Sequence, residues 1–299
     1  MDGPGRAEHA ERFTLLRPLL FTIAYEILGS ATEADDVLQD SYLRWAQVDL
    51  ADVRDTKAYL AQLVTRQSLN ALRAEARRRE DYIGPWLPEP LLIDGQDGLS
   101  DVVLAESVSM AMLVVLETLS PDERAVFVLR EVFGFEHADI AAAVGKSPTA
   151  VRQIAHRARA HVHSRRRRFE PVDPDRSARI TTEFLTAAAS GDLASLMAVL
   201  APDVEFTSDS NGKVSAALRP VLGAEKVARF ILGLMGRMGP EHRISTAVYN
   251  GAPALVVHAD DRPDSVITLD IADGKITNFY AVRNPDKLAA VTVSREITR

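Results

Sequence analysis

The stretch GPWLPEPLLIDGQDG, residues 84–98, sets the first limit on how this chain can fold. It holds three prolines and three glycines. Proline lacks the amide donor and drives the residue before it out of the helical region, so no helix passes through. A second break, EPVDPDR at 170–176, does the same further on. The 299 residues therefore fall into three stretches, in keeping with two or three domains at roughly 150 residues each.

Apolar residues recur at helical spacing on both sides of the first break. Residues 8–82 read as helices, punctuated at Gly29-Ser30 and again at Asp52 to Asp55. Helix resumes near Ser100 and continues to Arg168. After the second break the pattern changes. Two helical stretches (179–189 and 192–200) lead into strand-like alternation, with a helix at 224–238 and then HRISTAVY, APALVVHA, DSVITLDI and KITNFYAV. Asn250-Gly251 and Asp273-Gly274 are hairpin turn signals. The expected fold is two all-α domains, at 8–82 and 108–168, then an α+β domain with an antiparallel sheet at 177–299. Linkers at 83–107 and 169–176 join them.

Composition removes several classes of function. The chain has no cysteine, which excludes disulfides and thiolate chemistry and fits a reducing cytoplasm. No apolar run reaches the roughly 18 residues of a membrane span. The N-terminus has no apolar stretch of signal-peptide type. No metal or nucleotide motif appears, so no cofactor is expected. The net charge of −7 means that any nucleic-acid binding must be local.

One such locality is SPTAVRQIAHRARAHVHSRRRR, from Ser147 on, which is rich in arginine and has no acidic residue. Ser147 suits a helix N-cap and Pro148 the first helical position. Val151, Ile154, Ala158 and Val162 form an apolar stripe, leaving Arg152, Gln153, His156, Arg157 and Arg159 facing out. The preceding EHADIAAAVGK is a short helix that Gly145 can end in a left-handed cap. Two short helices with a tight turn, the second basic, make a helix-turn-helix. Ser120 and Glu123 form a capping box for the helix before it, whose buried face is Val126, Leu129 and Phe133. The plain alternative is a solvated basic helix on some other bundle.

The first helical domain carries two contrasting faces. In EADDVLQDSYLRWAQ, Ala34, Leu38, Tyr42 and Trp45 are apolar, while Glu33, Asp36 and Asp40 line another face. That acidic stripe suits a basic protein partner, or is an ordinary solvated surface. In the next helix Arg66, Asn70, Arg73 and Arg77 share one face, extended by Tyr59 and Gln62. Basic, amide and aromatic groups together suit single-stranded nucleic acid.

Taken in order, these motifs resemble an extracytoplasmic-function sigma factor of bacterial RNA polymerase. EADDVLQDSYLRWA resembles the family helix that docks the polymerase clamp, which points to Asp35, Asp36 and Asp40. TKAYLAQLVTRQSLNALRAEARRR resembles the helix that opens and reads the −10 element, which points to Tyr59, Arg66, Gln67, Asn70 and Arg73. The family usually has asparagine where Gln67 stands and aspartate where Asn70 stands. The helix-turn-helix resembles the −35 reader, which points to Ser147, Thr149, Arg152, Gln153, His156 and Arg157. The implied partners are core RNA polymerase and promoter DNA.

The last stretch resembles a SnoaL-like, NTF2-type cone domain, an appendage that a subgroup of these sigma factors carries. The subgroup's linker signature WLPEP stands at 86–90, including Trp86, Leu87 and Pro88. Its NPDKL signature stands as Asn284, Pro285, Asp286, Lys287 and Leu288. Its glycine-rich segment corresponds to Asp209 through Lys213. The resemblance implies a domain that packs on the DNA-reading parts and modulates them in place of a separate anti-sigma protein. A cone usually encloses a pocket. Tyr249, His258, Asp270, Asn278 and Tyr280 are candidate lining residues for a small-molecule ligand that the sequence does not identify. They have no diagnostic catalytic spacing, and no enzyme activity is expected. A monomer is expected. The competing readings are a one-component helix-turn-helix regulator with a ligand-sensing cone, and a cone-fold isomerase or hydrolase tethered to DNA.

Overall fold

The computed structural model describes residues 4–94, 101–165 and 173–299. Arg166 to Arg168 of the basic run, parts of both linkers and the side chains of Arg77 to Arg79 lie outside the described residues. Three helices come first: α1 (Pro4–Leu28), α2 (Ala31–Trp45) and α3 (Thr56–Arg78). Gly29, with φ of 71°, turns the chain, and the Ser30 hydroxyl caps α2 by accepting from the Glu33 amide. At the second break a short 3-10 turn runs Leu50–Asp52, and the Asp55 carboxylate accepts from the Ala58 amide to start α3.

The helical stretch after Ser100 comes as five helices, with the expected boundaries at Ser120 and Gly145 and a further one at Ser109. They are α4 (Val102–Ser107), α5 (Met110–Leu116), α6 (Pro121–Phe127), α7 (His137–Val144) and α8 (Pro148–Arg165), with a π turn at Val128–Val132 after α6. Side-chain caps start α4 and α5. Asp101 accepts from the amides of Val103 and Leu104, and Ser109 from that of Met112. Glu123 reaches back to the Ser120 amide at 3.2 Å, as the capping box requires. Gly145 ends α7 in the left-handed region at φ 69°. Val151, Ile154, Ala158 and Val162 of α8 are buried.

The C-terminal unit has α9 (Pro174–Ser190), α10 (Leu193–Val199), β1 (Leu200–Asp209), β2 (Val221–Leu222), α11 (Ala224–Met235), β3 (His242–Tyr249), β4 (Ala252–Ala259), β5 (Arg262–Ala272), β6 (Lys275–Val282) and α12 (Pro285–Leu288). The six strands form one sheet in the order β2-β1-β6-β5-β4-β3. The sheet is mixed, not wholly antiparallel as expected, because β1 runs parallel to β6. After β1 the chain crosses to the far edge and returns by three hairpin reversals. The last strand therefore arrives beside β1 in the same direction.

Both sheet faces are covered. Phe206, Phe279, Leu255 and Leu269 pack with Phe184 of α9 and Ile231 of α11. Tyr249, Val256, Val266, Tyr280 and Val282 pack instead with Leu87 of the linker and Met110 of α5. The helices before residue 166 share one continuous apolar core, which also takes in Ile297 from the C-terminal end. Among the described residues no helix is long and apolar enough to cross a membrane.

Candidate functional site

The sequence-predicted residues fall into four places. On α2, Asp36 and Asp40 are exposed. Asp35 is half-buried and engaged, receiving Arg17 at 3.0 Å and two guanidinium nitrogens of Arg295 at 2.6 and 3.1 Å. Arg295 is held there by its backbone. Its amide donates to the Leu92 carbonyl, and its own carbonyl accepts from the Asp94 amide. Beyond it, Ile297 enters the helical core and the Thr298 amide donates to Thr22 of α1. Beside this strap an open groove of about 710 Å³ runs between α1 and α2 and is rimmed by Val293 and Arg295.

On α3, Arg66, Asn70 and Arg73 are exposed, Gln67 is half-buried, and Tyr59 packs against Trp45 with ring centroids 5.7 Å apart. This helix does not stand clear. Arg66 donates to the Ala142 carbonyl of α7 at 2.6 Å, and Arg73 to Asp122 of α6 at 2.8 Å. Helices α6 and α7 therefore cover part of the α3 face that carries Arg66 and Arg73.

On α8, Ser147, Thr149, Arg152, Gln153, His156 and Arg157 are all exposed. The Ser147 hydroxyl accepts from the Ala150 amide, capping the helix. Arg159 is forked onto Glu131 at 2.6 and 3.1 Å, and Arg157 lies 3.7 Å from Glu123. The Glu131 hydrogen bond and charge hold the Arg159 guanidinium above its ordinary pKa. Two basic side chains of α8 are thus set in position from within their own unit.

The fourth place is where the three units meet. Asp209, at the end of β1, is fully buried and accepts from Tyr82 Oη at 2.5 Å, the Leu87 amide at 2.8 Å and Lys287 Nζ at 2.7 Å. Lys287 also donates to the Leu87 carbonyl and lies 3.9 Å from the Trp86 ring centroid. A buried cation over an indole face gains electrostatically from the ring quadrupole. Asn284 caps α12 and donates to Tyr82 Oη. Pro285 follows that cap, Asp286 pairs with Lys213, and Leu288 joins the apolar cluster around Leu87. Pro88 is buried, and Glu89 caps the start of α2 through Ser30 and Thr32. On its other side Trp86 lies so close to Gly29 that a β-carbon there would sit 2.9 Å from the indole.

Sequence reasoning gave no sign of what Asn250 touches. Asn250, at the β3–β4 turn, is buried among the helices. Its side chain donates to Tyr25 Oη and the Val108 carbonyl and accepts from the Leu91 amide. The Asn-Gly signal gave the turn but not what the turn enters.

The expected pocket is corrected. Tyr280 and Tyr249 lie on the sheet face that packs on the linker and α5, and Tyr249 Oη donates to the Val291 carbonyl. Asp270 and Asn278 sit opposite one another in register and share the Tyr280 face. His258 contacts Ser245 of the edge strand. The enclosed side is filled by Phe184, Phe206, Phe230 and Phe279, whose ring centroids are 5.1–5.4 Å apart. The polar groups named for acid–base or ligand chemistry therefore do not converge there.

Comparison with known proteins gives the family. The family models Sigma-70 region 2 and Sigma-70, region 4 match residues 13–78 and 109–162. The chain is 38% identical over 288 residues to the ECF RNA polymerase sigma factor SigJ of Mycobacterium tuberculosis, covering 92% of this chain and 91% of that one. It is 30% identical to a second protein of that organism, named "Probable ECF RNA polymerase sigma factor SigI", over 91% of this chain and 92% of the relative. The crystal structure of Mycobacterium tuberculosis extracytoplasmic function sigma factor SigJ superposes with a TM-score of 0.75 at 34% identity, covering 95% of this chain and 100% of that one. On this evidence the chain belongs to the extracytoplasmic-function sigma factors of RNA polymerase.

Proposed function

We propose that this sigma factor is restrained by its own C-terminal unit. The units are 8–82, 108–168 and 177–299, with linkers at 83–107 and 169–176. Asp35, Asp36 and Asp40 bind core polymerase. Tyr59, Arg66, Gln67, Asn70 and Arg73 hold the −10 element. Ser147, Thr149, Arg152, Gln153, His156 and Arg157 read the −35 duplex. The protein carries out no covalent step and acts as a monomer in the cytoplasm, where the polymerase does the chemistry. The cluster of Trp86, Leu87 and Pro88 with Asn284 to Leu288 sets how the units are spaced.

The observation that carries this reading is the two-pronged grip of Arg295 on Asp35. A cation from the C-terminal end neutralises one of the carboxylates assigned to polymerase. Arg295 is largely buried, so its pair is screened less than a surface pair. The test is the affinity of full-length protein for purified core polymerase. Arg295→Ala is expected to tighten binding about two- to fivefold, in line with one ion pair. Asp36→Lys with Asp40→Lys is expected to weaken it. Unchanged affinity in both variants would contradict the reading.

A further inference from the structure

We infer that Asp122 is an internal stand-in for promoter phosphate, one carboxylate that holds a cation from each DNA-reading surface and so keeps the free protein closed. The inference rests on the reading of α3 and α8 as DNA-reading helices. Arg73 of α3 reaches Asp122 Oδ1 at 2.8 Å, and Lys146, in the turn before α8, reaches Oδ2 at 2.8 Å. Arg73 comes from the first unit and Lys146 from Asp122's own unit, so the Arg73 arm is the one that spans the two, and each cation occupies one oxygen of the same group. Burial opposes the charge on Asp122, but the hydrogen bonds from Lys146 and Arg73 outweigh it and hold the carboxyl below its ordinary pKa.

The geometry resembles what phosphate offers a basic surface: an anionic centre with two oxygens spread between neighbouring donors. Arg66 adds a second tie through the Ala142 carbonyl. On the N-terminal side of Arg66, Ala61 and Thr65 of α3 face Ile140 and Ala143 of α7 across a narrow crevice. For Arg73 and Lys146 to meet DNA phosphates, both must leave Asp122. Promoter binding and opening of the α3–α7 contact are then one coupled equilibrium, and the closed form lowers apparent affinity by the fraction of protein it holds. All three side chains are partly exposed, so the tie is sensitive to salt.

The test uses the full chain and a fluorescein-labelled mixed-sequence DNA duplex, with affinity read by anisotropy. Asp122→Asn is expected to bind about three- to tenfold tighter than wild type, and Asp122→Glu, which keeps the charge, to stay within about twofold. An Asn variant that binds no tighter overturns the inference. Should that variant fail to fold, wild-type amide exchange decides. Amides of residues 137–144 are expected to exchange faster as NaCl rises from about 50 to about 500 mM, and salt-independent exchange overturns the inference. Initiation by the wild type with core polymerase is run alongside. Its absence removes the sigma-factor reading; its presence with an Asn variant that binds no tighter removes this inference alone.

Discussion

Glu26 and Asp209 are both buried acids with opposite environments. Around Glu26, burial dominates and raises its pKa from 4.5 to about 8, against the Ser107 hydrogen bond and the Arg124 charge that lower it. Between those two pH values the folded chain keeps a proton that the unfolded chain has released. Stability therefore falls as pH rises through that window and levels off above it. Glu26→Gln is expected to melt several degrees higher than wild type at pH 8 and to lose the advantage near pH 5; paired thermal melts check this. Asp209 keeps Lys287 against it inside the structure. Lys287→Met strips the cation from a buried carboxylate, and denaturant unfolding is expected to show a loss of about 3–5 kcal/mol. Adding Asp209→Asn is expected to restore part of it. The NPDKL residues were legible as a motif. Their receptor was not, because Tyr82 and Trp86 lie far in sequence from Asp209 and from Asn284 to Leu288, and these groups meet only through the fold.

At the scale of elements, local chemistry was the readable part. Gly145, Ser147 and Pro148 gave the helix-turn-helix because a left-handed cap, an N-cap and a first-turn proline each have one local cause. The Asn250-Gly251 and Asp273-Gly274 turns followed from tolerance of positive φ. The β4–β5 turn was not placed, although Asp260 and Asp261 also take positive φ. Aspartate adopts that region less readily than glycine and signals it weakly. Alternation gave the strands but not which side was the enclosed one, and so Asp270 and Tyr280 stood among the candidates for lining a pocket. The readable element also carries a prediction. Arg152→Ala with Arg157→Ala is expected to abolish promoter-specific initiation while changing stability by less than about 1 kcal/mol, since Arg157 loses only a partly exposed pair with Glu123. Retained initiation by the folded double variant contradicts the assignment of α8.

For the whole molecule, the acidic net charge and the basic helices are reconciled by arrangement. Arg66 and Arg73 face the helix-turn-helix, and Arg295 covers part of the acidic helix. The C-terminal sheet spends one face on its own helices and the other on the linker and α5. That second face could not be read from sequence, because a strand pattern shows that a face is apolar and not what covers it. The central claim is that the C-terminal unit restrains a working sigma factor. Run-off transcription with purified core polymerase tests it most directly, using a template that includes the chain's own upstream region. Full-length protein is compared with Arg295→Ala and with a deletion of residues 291–299. The account predicts specific initiation by the wild type and more of it from both variants. Initiation that falls in both variants, with their folding intact, would contradict restraint and make the C-terminal unit an activator.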